Sequence, residues 1–401
     1  MGLSASLLTP PALDATPLPA SEASAPRAAR EQRFVFLDAL RGLAALWVLL
    51  FHYFEAGHAK ELERVLPGWV TVFLRSGHFG VPIFFVLSGF VIAHSVGNQR
   101  VDSRFIGRFM LRRSIRLDPM YWFSIAAVVA VGFLSPLPHV QLPSAPQLAA
   151  HLFYAQGLLG FQQINNVCWT LCLEVQFYLV FCLMLLVIQR FRRSAQDHRS
   201  LVTIAVLCGG LAALWPLGLA HFSVWHGLFL PQWYSFLAGV FAYWTFQKQL
   251  PGYWFYLFAG SLLVSPVAYR HFPGLAAIIG LLILFAGRRG KLGGWFIWRP
   301  LQVLGAISYS LYLLHNPATG MIGGLAYTTP RTAAWELFWL VVIAALVCAI
   351  AYLAWRFIER PSILLSKRFR VQSSPEVSAR EEAQRGPSEP LLQAAPEPAV
   401  L

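Results

Sequence analysis

Charge is what this chain has least of. Asp, Glu, Lys and Arg make up 12% of its 401 residues, where a soluble domain carries about 25%. So little charge cannot cover a water-facing surface, and lipid must be the solvent for much of the chain. Cysteine is scarce as well. The five present (Cys168, Cys172, Cys182, Cys208, Cys348) form no CxxC pair and have no histidine at zinc spacing, so neither a disulfide framework nor a metal site is implied. The first 33 residues lack the apolar core of a secretory signal. Rich in Ala, Pro and Ser, they read as a disordered tail, as do residues 363–401. No internal repeat is visible, and no loop expected outside the cytoplasm is long enough for a folded domain.

What is present is apolar. Hydrophobic residues reach 57% and fall in separated blocks, which excludes a soluble domain on a single anchor. A membrane-spanning helix needs about 20 apolar residues. Ten segments approach that length: 35–55, 79–97, 119–137, 169–189, 201–219, 226–246, 253–269, 273–287, 301–321 and 336–356. Ten crossings put both termini on one side. Of the 31 Lys and Arg, 25 fall on that side and five opposite, at Lys60, Arg64, Arg75, Arg270 and Arg331. Basic loops mark the cytoplasm. The expectation is an all-α integral membrane protein of the cell (inner) membrane, a bundle of about ten transmembrane helices with cytoplasmic N- and C-termini. The same distribution accounts for the net charge of +13 without nucleic acid as a partner.

Ionisable groups inside such segments are costly and so informative. The first segment carries Asp38, Arg41 and His52. Arg41 and His52 are three turns apart, within roughly 20° of each other around the helix and about 16 Å apart along it. The bland alternative makes Asp38 a cap, Arg41 a snorkelling cation and His52 an interface residue. Ser88-Gly89 reads first as a close-packing site. A run of arginines, Arg104, Arg108, Arg112, Arg113 and Arg116, precedes Pro119, which is expected to open the third segment. Arg108, Arg112 and Arg116 recur at i+4 and would line one face, suited to anionic lipid or to a phosphate group. Glu174 lies roughly 8 Å inside the outer boundary, where a carboxylate must be paired or protonated. Ser308, Tyr309 and Tyr312 lead up to His315, with Asn316-Pro317 placed to break the helix. The loop from Leu137 to Cys168 has no charged side chain but carries His139, His151, Gln156, Gln162, Gln163, Asn165 and Asn166. It reads as a polar lid along the membrane surface. The topology sets His52, Glu174 and His315 in the outer half and the arginines at the inner face, as in a path across the membrane.

At these residues the chain resembles the acyltransferase 3 family of polytopic membrane acyltransferases. LDALRGLAALWVLLFH matches the family's LDGLRGIAALLVVLFH, and FFVLSGF is present at residues 84–90. An RxxR pair (Arg113, Arg116) precedes Pro119-Met120-Tyr121. WTLCLEVQFY stands for WSLSVEEQFY, and SYSLYLLHNP for SYSLYLLH-x-P. The resemblance covers residues 34–362. Val175 replaces the second acid of the family pattern, Cys172 a serine and Ala39 a glycine. Some members add an SGNH hydrolase-like domain, and the stand-alone form is expected here.

The resemblance implies transfer of an acyl group, usually acetyl from acetyl-CoA, to a hydroxyl on a carbohydrate or other cell-envelope molecule. It points to His52 as the catalytic base or nucleophile and to Arg41, Arg113 and Arg116 as functional. With Arg112, these arginines are expected to hold the phosphates of acyl-CoA, a co-substrate rather than a permanently bound cofactor. Glu174 is expected to orient an imidazole. Asp38, Asn165, Asn166, Trp169, Tyr178, Tyr309 and His315 are assigned to substrate contact. The partners so implied are membrane lipid, acyl-CoA and a carbohydrate or lipid-linked glycan. Two rival readings share the polar path: a transporter or flippase that moves an envelope glycan or lipid without acyl transfer, and a non-catalytic scaffold.

Overall fold

The computed structural model describes residues 34–97, 99–134, 142–191, 199–220, 227–266, 272–326 and 330–369. The tail expected at 1–33, the part from 370 onward of the tail expected at 363–401, and His139 lie outside the described residues. Among those described, every regular element is helical. In chain order they are α1 (Val35–Glu55), α2 (Lys60–Val65), α3 (Gly68–Arg75), α4 (Gly80–Val96), α5 (Ser103–Leu134), α6 (Ala145–Leu152) and α7 (Trp169–Phe191). Then come α8 (Arg199–Ala213), α9 (Trp233–Phe246), α10 (Gly252–Leu263), α11 (Phe272–Arg288), α12 (Arg299–Ala326), α13 (Ala333–Ala354) and α14 (Arg360–Ser366). Each of the ten apolar segments overlaps one of these helices. Among the described residues, five stretches are long and apolar enough to cross a membrane: Val35–Glu55, Gly77–Val96, Ser103–Phe133, Trp169–Phe191 and Ala333–Ser366. Large apolar side chains such as Leu183, Val187, Leu257, Phe285 and Val341 stand exposed on the bundle, as a lipid-facing surface requires.

Among the helix pairs that meet closely enough to exclude a side chain, two form the main crossings. A methyl group on Gly42 of α1 would strike the backbone of Gly305 in α12, and one on Gly305 would strike Asp38. Likewise Gly89 of α4 abuts the backbone of Phe236 in α9, and Gly239 of α9 abuts Val86. Small residues permit such backbone approach, and packing then supplies the attraction that lipid cannot. These contacts fix α1 against α12 and α4 against α9, the two most extensive helix pairings in the molecule. The packing expectation for Gly89 holds, while Ser88 beside it has a separate task.

The structure corrects the sequence reading in several places. The arginine run and the third segment form one helix, α5, that continues through Pro119. α12 also continues, through Pro317, rather than breaking at Asn316-Pro317. Proline withdraws a single backbone donor, and neighbouring helices or side chains can satisfy the carbonyl it releases. At the C-terminal end a π-helical turn (Trp355–Glu359) joins α13 to α14, so helix persists past residue 362 to Ser366. α2 and α3 had no counterpart in the sequence reading. They are held by Glu61–Arg64 and Glu63–Arg75 ion pairs, and Trp47 Nε1 donates to Phe73 O at 2.8 Å.

Candidate active site

His52 stands in the last turn of α1. Its Nδ1 lies 2.9 Å from Val48 O and 3.2 Å from Nε2 of His315 on α12. His315 Nδ1 lies 2.7 Å from Tyr312 O. A carbonyl oxygen can only accept, so both Nδ1 atoms carry their proton. A neutral His315 therefore presents a bare Nε2, which accepts from His52 Nδ1–H. One tautomer satisfies all three contacts, and it leaves Nε2 of His52 as the nitrogen with the lone pair. His315 is fully buried and meets His52, whereas from sequence it was assigned to substrate contact. The imidazole partner expected at Glu174 is this second histidine.

Glu174 sits elsewhere. It accepts from Ser88 Oγ at 2.5 Å and from the Tyr178 hydroxyl one turn along α7. These side chains line a cavity of about 70 Å³ with Arg41, Arg113, Arg116, Thr170, Ser308, Tyr309 and Tyr312. His52 does not line it. The reason is helical register: Thr170 meets Tyr312, and Glu174 follows more than one turn farther along α7. The Arg113 guanidinium stands 4.9 Å from the Tyr178 ring centre and 5.4 Å from that of Phe109. Aromatic faces attract a cation without consuming its N–H donors. The charges of Arg41, Arg113 and Arg116 act on one another, and Glu359 acts on Arg41 and Arg116. Three guanidinium groups against two carboxylates leave excess positive charge, the condition for an anion site.

Glu359 escaped the sequence reading. It is 5% exposed and accepts from Ser310 N at 3.2 Å and Ser310 Oγ at 2.6 Å. The apolar count ended the tenth segment at residue 356, so this acid fell between the last segment and the tail expected from 363. An acid in FIERP directly after a span was the available signal. Arg112 does not line the arginine chamber. The pair that lines it is Arg113 and Arg116, at i+3, so of the i+4 row only Arg116 reaches the chamber, and Arg108 is exposed. Asp38 lies at the crossing of α1 with Gly305 and lines none of the three chambers at the site. Tyr309 does line the arginine chamber, and its hydroxyl donates to Leu117 O at 3.0 Å, tying α12 to α5.

His52 borders two further chambers. The larger, about 690 Å³, includes Glu55, His78, Asn166, Trp169, Trp215, Gln232, Tyr234 and Tyr312. The other, about 470 Å³, includes His58, Asn165, Asn166, Asn316 and Thr319. Asn166 is exposed between them, as a substrate contact would be. Asn165 is buried, and its Nδ2 donates to Leu313 O at 2.8 Å, anchoring the loop two residues before His315. That loop is not the polar sheet expected. α6 opens on a capping box of Ser144 and Gln147. His151, Gln156 and Asn165 turn inward and are buried, while Leu152, Phe153 and Leu159 point out. Tyr154 donates to Asp118 at 2.8 Å and stacks on Tyr121 at 4.4 Å, clamping the loop to α5. In lipid the apolar side of a loop faces outward and its polar groups must find partners inside.

A helical bundle with an apolar exterior carries a histidine pair, one ring half-buried and one fully buried, near an arginine-lined chamber. The chain belongs to the acyltransferase 3 family, whose model, described as an acyltransferase domain, matches residues 34–354. It is 27% identical to a protein of Komagataeibacter xylinus named "Putative membrane-bound transacylase BcsY", over 82% of each chain. It is 25% identical to the peptidoglycan O-acetyltransferase OatA of Listeria monocytogenes, over 81% of this chain and 55% of that one. It therefore spans about half of that relative. Nodulation protein 10 of Rhizobium leguminosarum bv. viciae is 27% identical over 82% of this chain and 93% of its own. No solved structure matches. The protein is thus a membrane acyltransferase by family.

Proposed function

We propose that this protein transfers an acyl group, acetyl first among candidates, from cytoplasmic acyl-CoA to a hydroxyl of a carbohydrate or lipid-linked glycan on the far side of the cell membrane. The observation that carries the reading is His52. Its tautomer is fixed by His315 and Val48, and it stands between the two further chambers and the level at which an arginine-lined chamber ends. The basic loops, 25 of 31 Lys and Arg on one side of a ten-crossing topology with both termini cytoplasmic, support a cytoplasmic entry for the donor.

Arg41, Arg113 and Arg116 bind the phosphate groups of the donor. The face of α1 from Arg41 to His52 guides the thioester arm outward over about 16 Å. His52 Nε2 removes the proton of the acceptor hydroxyl as its oxygen attacks the thioester carbonyl. The C–O bond forms, the C–S bond breaks, and His52 returns the proton to the departing thiolate. His315 Nε2 holds the imidazole throughout and stabilises the charge it carries between the two transfers, as the third member of a triad does. Glu174, with Ser88 and Tyr178, acts on the donor side, where it orients Tyr178 under Arg113. The test is acyl-CoA consumption by purified protein in nanodiscs with envelope glycan. Normal consumption by His52→Ala sinks the assignment. Movement of glycan without loss of acyl-CoA would establish the transporter instead.

A further inference from the structure

The arginine chamber and the larger chamber beside His52 share two side chains, Val81 and Tyr312. Val81 opens α4 and Tyr312 lies within α12; they are 7% and 6% exposed. The Tyr312 ring is held on two sides. Thr170 Oγ1 donates to Val167 O at 2.9 Å, so it can only accept from the Tyr312 hydroxyl, which reaches it at 3.0 Å. Phe84 meets the ring edge-on with centroids 5.2 Å apart. Phe84, Phe85 and Leu171 complete the arginine chamber around this point with hydrocarbon.

We propose that Val81 and Tyr312 form an apolar neck that decides which acyl groups reach His52, selecting by width and charge and not by length. The inference rests on the acyl-CoA donor reading above. An unbranched acyl chain is no wider than the thioester arm that follows it. Beyond the neck it enters a chamber of about 690 Å³, so a few added carbons meet no wall. A branch at the carbon next to the carbonyl widens the leading end against a ring that cannot swing. A terminal carboxylate would have to shed its water among Val81, Phe84 and Tyr312, where no partner replaces it.

Inside-out membrane vesicles from cells expressing the chain, supplied with labelled butyryl-, isobutyryl- or succinyl-CoA, test this. Acyl ester on vesicle components is counted, with His52→Ala vesicles as background. Butyryl and isobutyryl have the same atoms, so their ratio reports width alone. The expected result is at least about a tenfold preference for butyryl over each of the others. Val81→Ala should cut the butyryl-to-isobutyryl ratio several-fold, and Tyr312→Phe, which releases the Thr170 contact but keeps the backbone carbonyl that holds His315, should cut it as well. Equal use of the two isomers by the unaltered protein, or a ratio unmoved in both variants, overturns the neck and leaves the donor reading standing. No transfer from any acyl-CoA overturns both.

Discussion

His52 shows how much one contact can change a residue's meaning. From sequence it is a histidine near the end of an apolar helix. In the fold, two carbonyl oxygens, Val48 O and Tyr312 O, dictate the protons on a pair of imidazoles and leave the lone pair on His52 Nε2, the base of the proposed reaction. Removing that base should lower turnover by about 100-fold or more. His315 is a positioning residue, and its loss should read differently. His315→Ala is expected to lower kcat by about 100-fold with KM for acyl-CoA nearly unchanged, since misplacement of a reacting group by 1 Å costs that much. His315→Gln, which can present an oxygen to His52 Nδ1, should recover part of it. Equal loss in both variants would mean that His315 serves folding alone. The arginines call for a binding readout. Arg113→Ala should weaken CoA binding by about 1.5–3 kcal/mol, roughly tenfold to a hundredfold, measured by titration. Rising salt should weaken binding to the unaltered protein more than to the variant.

At the scale of elements, the crossings of α1 with α12 and of α4 with α9 set the distance between the site residues each helix carries. Gly89→Ala should destabilise the protein by about 1–3 kcal/mol, because a methyl group meets the Phe236 backbone. Gly107→Ala on α5 has open space around it and should be neutral or gain about 0.5–1 kcal/mol. Thermal unfolding in detergent separates the two. The loop carrying α6 has its own pH dependence. Burial pushes the His151 imidazole below its ordinary value, and its ring is committed as neutral: Nδ1 donates to Gln147 O at 2.8 Å, and Nε2 accepts from Ile164 N at 3.1 Å. The unfolded loop takes up a proton below pH about 6.5 while the folded one resists. Its stability is therefore complete above that pH and falls as the medium is acidified. Amide exchange at Ile164 should rise between pH 7 and 5, and a flat profile would remove His151 from the loop's anchor. Sequence reasoning placed polar groups in this loop correctly but turned them the wrong way, because composition does not say which side of a loop meets lipid.

For the molecule as a whole, the charge asymmetry yields a topological prediction. With ten crossings and both termini in the cytoplasm, Lys60 lies outside and Arg104 inside. In a background without native cysteines, an impermeant maleimide added to intact cells should label Lys60→Cys and spare Arg104→Cys. Labelling of both, or of Arg104→Cys alone, overturns the topology. Five stretches satisfy the length and hydropathy of a span by themselves. Others such as α8, α9 and α10 are shorter, and α9 is nearly all buried among its neighbours. A segment inside a bundle is shielded by protein and need not match the bilayer in length. The apolar count found these segments because it responds to burial in protein and in lipid alike.

The sequence by itself determined that the chain is helical and apolar and that its polar groups are few enough to name: Arg41, His52 and Glu174 were found by their cost in lipid, and Arg113 and Arg116 by the arginine run and the family resemblance. It did not determine who meets whom. Only the tertiary structure paired His52 with His315, moved Glu174 to Ser88 and Tyr178 in the arginine chamber, left Arg112 out of its lining, and drew in Glu359 from beyond the last apolar segment. The physical reason is that spacing fixes angle and height along one helix, whereas contact between helices depends on where they cross. That is decided by backbone approaches such as Gly42 on Gly305 and Gly89 on Phe236, which leave no periodic trace in the chain.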